Sequence, residues 1–121
     1  MHRDLDLVRK ILLAMEKESA STGRSGYLEI DDYDTMVVGH HVYLMEQAGL
    51  VRAFEATASG EVATAIPLEL TWAGHDYLSA VRDDGVWKTV KTKAGPKLGS
   101  LTFDLVKELS VAVVRGSIGL S

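Results

Sequence analysis

Two short blocks constrain this chain more than any other part of it: HHVYLMEQAGLV at residues 40–51 and LELTWAGHDYL at residues 68–78. The first carries a helical pattern that stops on Gly49, a residue suited to the left-handed backbone that ends a helix. It runs directly into residues 50–57, which alternate as a strand does. The second closes a return strand, 62–70, on Thr71, whose hydroxyl suits a helix N-cap, and passes into a helix over 72–84. Residues 58–61, ASGE, make the intervening turn, with Gly60 free to take positive φ. Pro67 has no N–H for a ladder, so its strand is predicted to be an edge or to bend there, with Ile66, Leu68 and Leu70 on one face. The resulting order is helix, hairpin, helix.

The flanking segments are mostly helical. Leu5, Val8, Ile11, Leu12 and Met15 place a first helix over 4–18, with Asp4 as its cap. SASTGRSG, residues 19–26, is a loop, and Tyr27 to Ile30 is a short strand candidate. Asp31, Asp32 and Asp34 lead into a helix over 34–48, with Met36, Val37, His40, Leu44 and Ala48 on one side. In the helix after Thr71, Leu78 and Val81 face inward, and Trp72 and Tyr77 pack against the hairpin. Val86, Trp87 and Val90 add one or two turns; KTKAGPKLGS is then a loop. Ser100 caps a last helix over 101–115 with the stripe Leu101, Leu105, Leu109 and Ala112 or Val113. The expected fold class is α+β, mainly α: a winged helix with extra C-terminal helices. Its 121 residues form one domain, a core over 1–85 and a helical extension over 86–121.

Three separated blocks, RDLDLVRKILLAME (3–16), HHVYLMEQAGLV (40–51) and LTWAGHDYLSAVRDDGVWKTVK (70–91), resemble in that order the bacterial and phage family named domain of unknown function 2513. The resemblance spans roughly residues 1–115. It implies a small winged-helix-like domain, often prophage-associated, and brings no catalytic or binding residues with it. The spacing HxxxLxxxxGLV followed by LTxxGxxxL is also similar to winged-helix transcription regulators. There the first motif ends the recognition helix and the second opens the helix after the wing. One departure matters. Between Ile30 and Gly49 there is room for one helix with a lead-in, where a helix-turn-helix needs two.

Charge divides the chain. Residues 25–87 carry two arginines against eleven carboxylates, and residues 88–121 carry six basic groups against two acidic ones. A helix that reads DNA works against a polyanion, and lysine and arginine supply most of the affinity. Residues 31–48 hold three aspartates, one glutamate and neither lysine nor arginine. Two roles follow. In the first, the protein is a DNA-binding or phage-related regulator. Lys88, Lys91, Lys93, Lys97 and Arg52 then contact phosphate, and His41 and Gln47 contact bases. In the second, it is a protein-interaction module whose acidic 31–48 face, with Asp31, Asp32, Tyr33 and Asp34, and hairpin meet a host or phage protein. The bland reading of the lysines is a solvated face, with Trp87 as a core anchor.

Other chemistry finds little footing. The chain has no cysteine, so disulfides and thiolate sites are excluded. Adjacent His40 and His41 point about 100° apart on a helix, and His75 adds no metal-ligand spacing, so no metal or cofactor is expected. Asp83 and Asp84, followed by Gly85, read as turn residues rather than an acid–base pair, and an enzyme is not expected. The charged start, MHRDLDLVRK, is unlike a signal peptide, so a cytoplasmic place and no membrane association are expected. Val111 to Val114 is apolar all round, which suggests homodimerisation through the terminal helices or closure of the monomer core.

Overall fold

The computed structural model describes residues 3–18, 28–57 and 60–118, apart from the side chains of Glu18 and Ser117. It is α+β and mainly helical: α1 (Leu5–Glu18), α2 (Thr35–Gln47), β1 (Val51–Glu55), β2 (Ala65–Leu70), α3 (Trp72–Val81), α4 (Asp84–Ala94), a 3-10 segment (Gly95–Ser100) and α5 (Phe103–Ser117).

Helix α1 forms where its apolar spacing placed it. Asp4 caps it, with Oδ1 accepting the Leu7 N–H at 3.1 Å. Leu5, Val8, Ile11, Leu12 and Met15 are all buried, and Leu7 joins them. Residues 28–30 are not a strand. Tyr27 and the 19–26 loop lie outside the described residues.

Helix α2 starts at its Asp34 cap and ends in a Schellman motif. Gly49 takes φ +83, Leu50 N–H donates to the Met45 carbonyl at 2.9 Å and Gly49 N–H to the Glu46 carbonyl at 3.0 Å. Its buried face is not the expected one. Val38, His41, Val42 and Met45 are buried, whereas Met36 and Ala48 are exposed and His40 and Leu44 only half-buried. Apolar residues lie almost all round this helix, so spacing alone did not orient it. Packing against α1 on one side and the hairpin on the other did.

The two strands pair antiparallel, Val51 with Leu70, Arg52 with Glu69, Ala53 with Pro67, Phe54 with Ile66 and Glu55 with Ala65. The register steps between Arg52 and Ala53, leaving Leu68 as an extra residue: a bulge beside Pro67. This is the predicted bend, and it overturns the predicted face. Ala65 and Pro67 are buried, Ile66 and Leu70 half-buried, and Leu68 is 65% exposed. Of the turn, residues 58 and 59 lie outside the described residues, and Gly60 has φ +79.

Thr71 locks the hairpin to α3. Its Oγ1 accepts the Gly74 N–H at 3.0 Å and donates to the Gly49 carbonyl at 2.6 Å, and its own N–H reaches the Leu50 carbonyl at 3.1 Å. Gly74 sits so close to Leu50 that a Cβ there would lie 1.9 Å from the Leu50 carbonyl oxygen. The separated GLV and LTxxG elements are thus two halves of one contact.

The helix after Thr71 is shorter than predicted. It ends at Val81, because Asp83 caps a new helix by accepting the Val86 N–H at 2.9 Å. Arg9 of α1 holds this junction, Nε to the Val81 carbonyl and Nη2 to the Arg82 carbonyl, both at 2.7 Å, with Asp84 completing the set. Tyr77 is buried, its ring edge-on to Phe103 at 5.5 Å, while Trp72 stands 84% exposed instead of packing against the hairpin. The expected loop over 91–100 is the end of α4 followed by the 3-10 segment. Thr102, not Ser100, caps α5, its Oγ1 accepting the Leu105 N–H at 3.1 Å. The inward face of α5 is centred on Val106 and Ser110, flanked by Phe103, Leu109 and Val113, and Leu105 is exposed. One buried cluster runs from Leu5 through Met45, Val51, Leu78 and Trp87 to Val106.

Candidate interaction surface

His41 is 1% exposed and fully engaged. Its Nε2 accepts the Asp4 N–H at 2.9 Å, which requires the proton to sit on Nδ1, donated to the Val37 carbonyl at 2.9 Å. Burial pushes this imidazole below its ordinary value, against the Val37 bond and the nearby Asp4 carboxylate. It is a tie between α1 and α2 and has no atom left for a base edge, which corrects its place among the expected DNA contacts. His40 is also turned inward. Its Nδ1 donates to the Ala63 carbonyl at 2.7 Å and its ring stacks on Tyr43. Gln47 is exposed at the end of α2, donating to Glu46 at 3.1 Å.

The acidic lead-in is a compact turn. Tyr33 N–H donates to the Ile30 carbonyl at 3.2 Å, and Asp32 takes φ +70 within that turn. Asp31, Asp32 and Asp34 are exposed; Asp34 spends one oxygen on the Met36 N–H at 2.8 Å, capping α2. Tyr33 is half-buried, its hydroxyl donating to Asp4 Oδ2 at 3.3 Å and its ring under the Lys10 ammonium. Burial, then Asp4, pushes its phenol above the ordinary value.

The candidate cations do not converge on α2. Lys91 pairs with Asp6 of α1 at 3.1 Å, beside the Trp87 indole N–H, which donates to the same carboxylate at 2.7 Å. Burial raises the Asp6 carboxyl, but the Trp87 and Lys91 bonds outweigh it and hold the group below its ordinary value. Lys88 and Lys93 are exposed on α4, five residues apart and so about 140° round the helix, and Lys97 is exposed on the 3-10 segment. Helix α4 packs on α3 and α5, whereas α2 packs on α1 and the hairpin. Arg52 faces Glu69 across the hairpin at 3.1 Å.

Sequence reasoning named the hairpin as part of a protein-docking surface but missed the apolar side chains on its outer face. Its inner face packs on α2. Outward stand Phe54, 63% exposed, and Leu68, 65% exposed, with half-buried Ile66 directly across from Phe54. A solvated sheet face normally alternates to polar residues. Here the bulge sets Leu68 and Glu69, two successive exposed residues, opposite Arg52. Trp72 follows two residues after Leu70. The one available signal was Pro67, which foretold a break in the strand but not which side chains it would turn out.

A family model described as Hypothetical protein (DUF2513) matches residues 2–100. The chain belongs to the DUF2513 family. It is 32% identical over 114 residues to an uncharacterized protein of Haemophilus influenzae, a match that covers 94% of this chain and 96% of the relative. No solved structure matches it. The DUF2513 match ends just before α5, which the structure nonetheless packs on α3 and α4. Among the described residues, no helix is long and apolar enough to cross a membrane, and no group of three metal-ligating side chains comes together.

Proposed function

We propose that this DUF2513 domain is a non-catalytic, winged-helix-type module that docks protein rather than reads DNA, and that it works in the cytoplasm. The winged-helix reading rests on the order α1, α2, hairpin, α3, with α2 seated on the hairpin as a wing would be. The observation that carries the docking role is the apolar outer face of that hairpin, where Phe54 and Leu68 are exposed. Exposed large apolar side chains grouped on one face mark sites of protein interaction. The acidic turn, Asp31, Asp32 and Asp34, adds a field that repels a polyanion. A non-catalytic role is consistent with the buried imidazole, since His41 commits both nitrogens to the backbone.

A DNA-binding regulatory role is the second reading, and Lys88, Lys93 and Lys97 favour it, being exposed on the basic C-terminal third. The test is anisotropy of a labelled mixed-sequence duplex with the full chain at low salt. The docking reading expects no binding. Salt-dependent binding that falls when Lys88, Lys93 and Lys97 are changed to Gln would overturn it, because phosphate contacts release counterions and fix the salt slope.

A further inference from the structure

We infer that the outer face of the hairpin pairs with a second copy of this chain across a two-fold axis; the inference rests on the protein-docking reading and names the partner. The patch is apolar at its middle, where Phe54, Ile66 and Leu68 adjoin, and charged at one end, where Arg52 lies opposite Glu69. Both ends of that ion pair are largely in water, with side chains 72% and 60% exposed.

The charges select the occupant. A uniformly acidic partner would face Glu69 as a like charge, and a uniformly basic one would face Arg52. A two-fold copy presents the same face reversed, so each Arg52 can meet the other copy's Glu69 while the apolar centres stack. An isologous contact of this kind needs a patch complementary to itself, and one cation beside one anion next to an apolar centre meets that condition. Phe54 and Leu68 are 63% and 65% exposed, so among the described residues no further layer covers the outer face. Pairing two such faces buries Phe54 and Leu68 and gives each hairpin the second layer that sheets ordinarily have.

Sedimentation velocity of the full chain over a wide concentration range tests this. Reversible dimerisation is expected, weakened about tenfold or more by Phe54→Ser with Leu68→Ser. Arg52→Glu should weaken it as well, and Arg52→Glu with Glu69→Arg should restore it, because the exchange keeps the patch self-complementary. These side chains are exposed, and far-UV circular dichroism of each variant checks that the fold persists. A monomer at every concentration would overturn the self-pairing and leave the protein-docking reading standing. A dimer indifferent to the hairpin substitutions, as one built on Leu105 and Val111 of α5 would be, would overturn it too. Failure of the docking reading itself is seen separately, in the salt-dependent duplex binding described above.

Discussion

At the scale of single residues, His41 is the group on which pH acts. In the fold its Nε2 is an acceptor, so a proton added there would set an N–H against the Asp4 N–H. Burial lowers the folded pKa, and neighbouring His40 adds to the lowering. The unfolded chain titrates at the ordinary value of 6.5. Below that pH the unfolded state binds more protons than the folded one, so stability is full above it and is lost as pH falls towards the folded value. The urea midpoint is expected to drop as pH falls below the ordinary 6.5, and much less in a His41→Gln chain, which can still accept from Asp4. Asp6 and Glu16, also lowered, act in a more acidic window, below their ordinary 3.8 and 4.5. A pH-independent midpoint over the upper window would show that His41 is not held as a neutral acceptor.

At the scale of elements, capping and close approach set where each helix begins and what it rests on. Asp4, Asp34, Thr71, Asp83 and Thr102 each accept an N–H two or three residues on; sequence reading marks Asp4 and Thr71 as caps and Asp34 as the lead-in to its helix, but not Asp83 or Thr102. Gly74 illustrates the other kind of control. Its importance comes from a neighbour 24 residues earlier, Leu50, whose carbonyl leaves no room for a side chain. Gly74→Ala is expected to cost about 3 kcal/mol or more, since overpacking against backbone has no rotamer by which to relax. Urea unfolding measures it, and a cost near zero would mean that α3 does not rest on the end of α2. The bulge at Leu68 belongs to this scale as well. One extra residue beside Pro67 changes which side chains face water, and so makes the surface on which the docking role depends.

At the scale of the whole molecule, α5 lies past the family match yet closes the core. Val106 is fully buried, Phe103 meets Tyr77 edge-on, and the Arg3 guanidinium ties the start of the chain to the Leu101 carbonyl at 3.0 Å. Deleting residues 102–121 would uncover that side of α3 and α4. The apolar burial lost with Val106, Phe103 and Leu109 amounts to on the order of 5 kcal/mol. That is comparable to the whole stability of a small domain. A truncated chain is expected to lose its cooperative thermal transition. If it kept a sharp transition, α5 would be an appendage rather than part of the core.

Local chemistry settled where α1 lies and where the hairpin begins and ends. Apolar spacing placed α1, Gly49 and Thr71 bounded the hairpin, and Pro67 announced its irregularity, because caps, breaks and periodicity act over three or four neighbouring residues. Orientation was decided elsewhere. That α2 turns His41 inward, that Trp72 faces water, that α5 buries Val106 instead of Leu105, and that Lys91 spends its charge on Asp6 all depend on which elements came to lie against which. A helix with apolar residues on most of its faces has no single direction until a neighbour covers one, so only the packed molecule could choose it.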